Sequence, residues 1–104
     1  MKALLLALAL LASTPAALAA LLIDVRTPAE YTEAHLPGAV NLPLDSLQAT
    51  IGRHAPDRGS RIELYCRSGR RSAAAAGLLR GLGYRDVHDL GGYARAQSLM
   101  TKGQ

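Results

Sequence analysis

A chain of 104 residues is enough for one domain, and its formal charge of +4 is modest. A single cysteine excludes an internal disulfide and a multi-cysteine metal site. With no Phe, no Trp and four Tyr, and no long Lys/Arg run, the chain lacks the stacking residues and basic stretch of a nucleic-acid binder, and its core must be built from aliphatic side chains and tyrosine.

The first 19 residues read as an export signal. Met1-Lys2 gives a positive start, residues 3–12 form a short apolar stretch, Ser13-Thr14-Pro15 breaks it, and Ala17-Leu18-Ala19 fits the small-residue cleavage rule. Cleavage after Ala19 leaves a domain of residues 20–104 and removes Lys2. The apolar stretch is too short to span a bilayer alone, so the mature domain is expected in a bacterial periplasm with no stable membrane association. The competing reading is an uncleaved anchor.

Residues 21–25 are almost wholly apolar, as suits a buried parallel strand. Thr27, Pro28 and Glu30 supply an N-cap, a first-turn proline and a capping box, so a short helix begins there and ends before Pro37-Gly38. Residues 39–41 form a second strand. Residues 43–54 read as a helix with Leu44, Leu47 and Ile51 on one face. A turn at residues 56–59 leads into a third strand over residues 61–65, which alternates polar and apolar. An alanine-rich helix follows over residues 72–80, stopped by Gly81 and Gly83. A fourth strand spans residues 86–88, Gly91-Gly92 is expected as a tight turn, and residues 93–100 form a last helix. Alternating strands and helices imply a small parallel β-sheet flanked by helices on both faces, an α/β fold.

The lone cysteine, Cys66, falls where the third strand gives way to a helix. Loop amides and a helix N-terminus there favour negative charge, and Arg67, Arg70 and Arg71 add positive charge. Ser68 and Gly69 complete a loop that can curl its N–H groups inward. This pattern predicts a reactive thiolate that gathers a small anion. The bland alternative is a buried structural cysteine. No histidine adjoins Cys66 in sequence; His35 is read as a turn residue bonded to the backbone, while Asp24 and Arg26 are either a structural ion pair or part of the pocket.

Four motifs in order then give a resemblance. Ile23-Asp24-Val25-Arg26, Tyr31 with the run from His35 through Pro43, Cys66-Arg67-Ser68-Gly69-Arg70-Arg71, and Gly91-Gly92-Tyr93 are similar to those of the single-domain rhodaneses. The resemblance spans about residues 22–97, and an exported member of this size resembles the periplasmic, phage-shock type of thiosulfate sulfurtransferase. Many members carry a tryptophan where Ala96 stands, which bears on the packing of the last helix. The resemblance implies a rhodanese-like domain with Cys66 as catalytic residue and Arg67, Ser68, Gly69, Arg70 and Arg71 as substrate-binding residues, with neither metal nor cofactor. Its implied reaction moves a sulfane sulfur from thiosulfate to cyanide or a thiol through a persulfide. Alternatives are a carrier that passes its persulfide to one protein partner, and a phosphatase on the same fold. The latter needs C-x5-R to wrap a phosphoryl group, whereas Cys66 and Arg71 here give C-x4-R.

Overall fold

The computed structural model describes residues 19–102. The export-signal reading of residues 1–19 lies outside them, except for Ala19. Strands β1 (Leu21–Asp24), β2 (Val40–Asn41), β3 (Arg61–Cys66) and β4 (Asp86–Gly92) form one sheet in the order β2-β1-β3-β4, and every pairing is parallel. The helices are α1 (Pro28–Glu33), α2 (Leu47–His54), α3 (Arg70–Gly81) and α4 (Tyr93–Lys102). The chain steps outward from β1 to β2, then crosses back to β3 and on to β4. The strand order therefore reverses between β1 and β3, and their carboxyl ends open the crevice where ligands bind in such sheets.

Period-two alternation along the strands divides the core between the two faces. Ile23, Ile62, Leu64 and Val87 pack with Leu47 and Ile51 of α2 and with Ala75, Ala76 and Leu79 of α3. Leu22 and Tyr65 point the other way, to Leu36, Ala39 and Ala96 of α4, with Tyr31 of α1 at the edge. Ala96 is the one fully buried residue of α4, and the helix packs on it in place of the larger side chain that the resemblance implies.

Several boundaries differ from expectation for local reasons. The capping box forms as read: Thr27 Oγ1 accepts from the Glu30 amide at 3.2 Å and Glu30 Oε1 from the Thr27 amide at 3.1 Å. The helix expected over residues 43–54 instead starts as a 3-10 turn at Leu44–Ser46 and becomes α-helical at Leu47. The helix after Cys66 begins at Arg70, two residues early, because Gly69 at φ 98° turns the chain straight into it. It closes in a Schellman motif, in which the Gly83 amide reaches Arg80 O and the Tyr84 amide reaches Leu79 O, both at 3.0 Å. Gly91-Gly92 is not a tight turn but the end of β4. A Cβ at Gly92 would lie 2.8 Å from Arg67 O, so glycine there permits a close strand-to-loop approach rather than a reversal.

A polar hub fixes the carboxyl end of β1. Arg26 Nε and Nη2 grip the fully buried Asp24 carboxylate at 2.7–3.0 Å, and Arg26 Nη2 also donates to Ala34 O at 2.6 Å. The Tyr65 hydroxyl donates to Asp24 Oδ2 at 2.8 Å and accepts from the Leu36 amide at 3.0 Å. Burial, with the Asp24 carboxylate beside it, pushes the Tyr65 hydroxyl far above its ordinary value, so it stays protonated and donating. Removing that oxygen strands a buried amide. Tyr65→Phe is expected to cost on the order of 1–3 kcal/mol in urea unfolding, and an unchanged midpoint would show that the hub does not hold this end of the sheet.

Candidate active site

Cys66 is the last residue of β3 and is only 1% exposed. Its side chain lies on the α2/α3 face of the sheet, and the following loop folds over it. The Gly69 amide donates to Cys66 Sγ at 3.0 Å, and Ser72 Oγ lies 3.6 Å from the sulfur. Gly69 reaches this position because its φ of 98° suits glycine; any L side chain there costs about 1–2 kcal/mol. The loop is braced from β4, where Ser68 bridges Gly92 and the Tyr93 amide donates to Arg67 O at 3.2 Å.

Burial pushes the Cys66 thiol up, but bonds from the Ser72 backbone and hydroxyl and from the Gly69 and Ser68 amides outweigh it. The net shift is downward, toward the thiolate. Ser72 is itself fully buried and also within reach of Gly69 O at 3.2 Å and Gly91 O at 3.4 Å. Its one proton can turn from a carbonyl to the sulfur when the sulfur is charged.

The arginines divide into two kinds. Arg71 Nη1 and Nη2 bind Glu30 Oε1 and Oε2 at 2.7 and 3.0 Å, which ties the first turn of α3 to α1. That guanidinium, with the Thr27 cap, holds the Glu30 carboxyl down at about 2 against its burial. The tie is thus fully present above the ordinary value of 4.5 and is lost only as pH falls through about 2. Arg67 and Arg70 are exposed and make no ion pair among the described residues. Arg70 lies in the first turn of a helix, where the macrodipole disfavours a cation unless an anion accompanies it.

Beside the loop lies a cavity of about 310 Å³, walled by Arg26, Glu30, Glu33, Ala34, Arg67 and Tyr93. Arg26 is thus both a structural ion-pair partner and part of the cavity wall. His35 does as expected of a turn residue: its Nδ1 meets Tyr31 O at 2.8 Å and its ring stacks on Tyr31 at 3.7 Å. His88 pairs with Asp86 at the opposite end of the sheet from Cys66, so neither histidine is bonded to the sulfur. Sequence reading missed Ser72, Glu33 and Tyr93 as members of this region. It saw Glu30 only as a cap, and nothing local showed that its carboxylate also holds Arg71. A serine one turn into a helix that follows an anion loop is the signal that points to Ser72.

Ser72→Ala removes one donor to the sulfur while leaving the amides. Its Cys66 thiolate should form only at a higher pH than in the parent protein, read from thiolate absorbance or the pH dependence of alkylation. An unshifted titration would assign the lowered value to the amides alone.

A rhodanese-like domain matches residues 7–98. The chain is 41% identical over 88 residues to the thiosulfate sulfurtransferase PspE of Escherichia coli, covering 85% of each chain. Among solved structures it is similar to a rhodanese with anions from E. coli (TM-score 0.72, 36% identity, 74% of this chain and 91% of that one). It is also similar to the human single-domain sulfurtransferase TSTD1 (TM-score 0.66, 28% identity, 88% and 89%). The strand-to-loop position of Cys66 and these matches lead to one conclusion: the chain belongs to the rhodanese-like domain family.

Proposed function

We propose that the protein is a thiosulfate sulfurtransferase that carries sulfur as a persulfide on Cys66. The observation that carries the reading is the buried sulfur held by the Gly69 amide and Ser72 with its pKa lowered. A thiolate is the competent nucleophile, and the same donors can take up charge on the sulfur added to it. The relative PspE supports thiosulfate as donor.

In the first half-reaction the Cys66 thiolate attacks the outer sulfur of thiosulfate. A sulfur–sulfur bond forms to Sγ, the bond to the sulfonate sulfur breaks, and its electron pair leaves with sulfite. In the second, a thiophilic acceptor, cyanide or a thiolate, attacks the outer sulfur and the electron pair returns to Sγ. Attack by one anion on a dianion requires positive screening. Arg67 and Arg70 are the guanidiniums free to supply it, with the amides of Ser68 and Gly69 beneath. Arg71 is a positioning residue here: committed to Glu30, it fixes the loop against α1. The short loop between Cys66 and Arg71 leaves little room for a phosphoryl group on sulfur, which argues against a phosphatase.

Residues 1–19 fit an export signal, so the site belongs on this account to a periplasmic domain starting at Ala20. No helix among the described residues is long and apolar enough to cross a membrane. Intact mass of protein from the periplasmic fraction should show an N-terminus at Ala20; a membrane-bound species that keeps Met1 would mean an anchor.

In a thiosulfate:cyanide assay the protein should release thiocyanate, and Arg67→Ala should raise KM for thiosulfate by about tenfold with a smaller change in kcat, since an exposed arginine attracts the dianion more than it stabilises the reacting bond. Added salt should raise KM in the parent protein and much less in the variant. An unchanged KM would assign donor binding to the amides and Arg70.

A further inference from the structure

The cavity next to the sulfur loop has a charge pattern that the donor half-reaction does not account for. Thiosulfate and sulfite are both anions, yet two of the six wall residues are carboxylates. Two of its four charges are already answered: Arg26 by Asp24, and Glu30 by Arg71. The Glu33 carboxylate and the Arg67 guanidinium remain, both exposed and both without an ion-pair partner among the described residues. Tyr93 completes the wall, with the Arg26 guanidinium over its ring at 5.1 Å from the centroid.

These walls are positioned by the reacting loop. Arg67 directly follows Cys66 and its carbonyl accepts from the Tyr93 amide at 3.2 Å, while Glu30 is clamped by Arg71 in the first turn of α3, which the loop leads into. At about 310 Å³ the cavity sits at the lower end of small-molecule sites, and it offers one unanswered negative and one unanswered positive group.

We propose that this cavity is the acceptor subsite and takes a small zwitterionic thiol, one carrying both an ammonium and a carboxylate, with Glu33 receiving the ammonium and Arg67 the carboxylate. The proposal rests on the sulfurtransferase reading and names its acceptor class. The bound thiolate attacks the outer sulfur of the Cys66 persulfide. A bond forms between the acceptor sulfur and that sulfur, the bond to Sγ breaks, and the electron pair returns to Cys66 as thiolate. The sulfane sulfur leaves as an acceptor persulfide with no net oxidation and no further reactant. Glu33 is a specificity residue under this scheme, since a carboxylate at the mouth opposes anionic acceptors and favours those with an ammonium.

The test loads full-length protein with sulfur from thiosulfate and mixes it with cysteine, cysteamine or mercaptoacetate at equal thiolate concentration. The readout is the ratio of discharge rates for cysteamine, which carries the ammonium alone, to mercaptoacetate, which carries the carboxylate alone. Cysteine is expected to be the fastest of the three in the parent protein. The ratio should fall about fivefold in Glu33→Gln and further in Glu33→Lys. Asp86→Asn removes one negative charge at the far end of the sheet and should leave the ratio where it was. A ratio that is the same in the parent and both Glu33 variants, or that shifts equally in Asp86→Asn, overturns the subsite. Failure of the parent protein to take sulfur from thiosulfate at all overturns the sulfurtransferase reading, and this proposal with it.

Discussion

The contact on which the site depends is the 3.0 Å hydrogen bond from the Gly69 amide to Cys66 Sγ. It requires a left-handed residue three positions after the cysteine, and only glycine adopts that conformation at little cost. The same turn aims the start of α3 and brings Ser72 beside the sulfur. A buried thiol would ordinarily resist ionisation; these donors reverse the direction. Burial and activation act on the same atom: the sulfur has little exposure to solvent, and the donors around it favour its charged form.

Two ion pairs keep that turn in place, and they differ in kind. Asp24–Arg26 is buried and fastened by Tyr65 and Ala34, so it is part of the floor from which β1 and β3 present their carboxyl ends. Loss of one partner from such a pair leaves an uncompensated charge, which costs about 3–5 kcal/mol. Arg71–Glu30 is half-exposed and links the loop to α1. Its stability contribution is small, as such pairs go, but its geometry decides which arginines remain free for an anion. Sequence treats the three loop arginines alike; the fold commits Arg71 and leaves Arg67 and Arg70.

Most of the fold was legible because its signals are local. The Thr27–Glu30 box, the alternation in β3 and the glycine stop after α3 are each written within a few residues. The place of Cys66 at a strand-to-loop junction was legible for the same reason, since a strand, a glycine-bearing loop and an alanine-rich helix follow one another within a few residues. What was missed comes from contacts between distant segments. Gly91-Gly92 looks like a turn in isolation, and only the arrival of Arg67 O against Gly92 explains the glycine. Glu30 looks like a cap, and its second role needs Arg71, 41 residues away. Glu33 and Tyr93 lie on different helices and meet only at the cavity wall.

The most direct test of the account is the mass of the protein after reaction with thiosulfate. Reduced protein should gain the mass of one sulfur atom, mapped to Cys66 as the only thiol, and should lose it when cyanide is added; Cys66→Ser should stay unmodified. A reduced protein that gains no sulfur under these conditions would contradict the account.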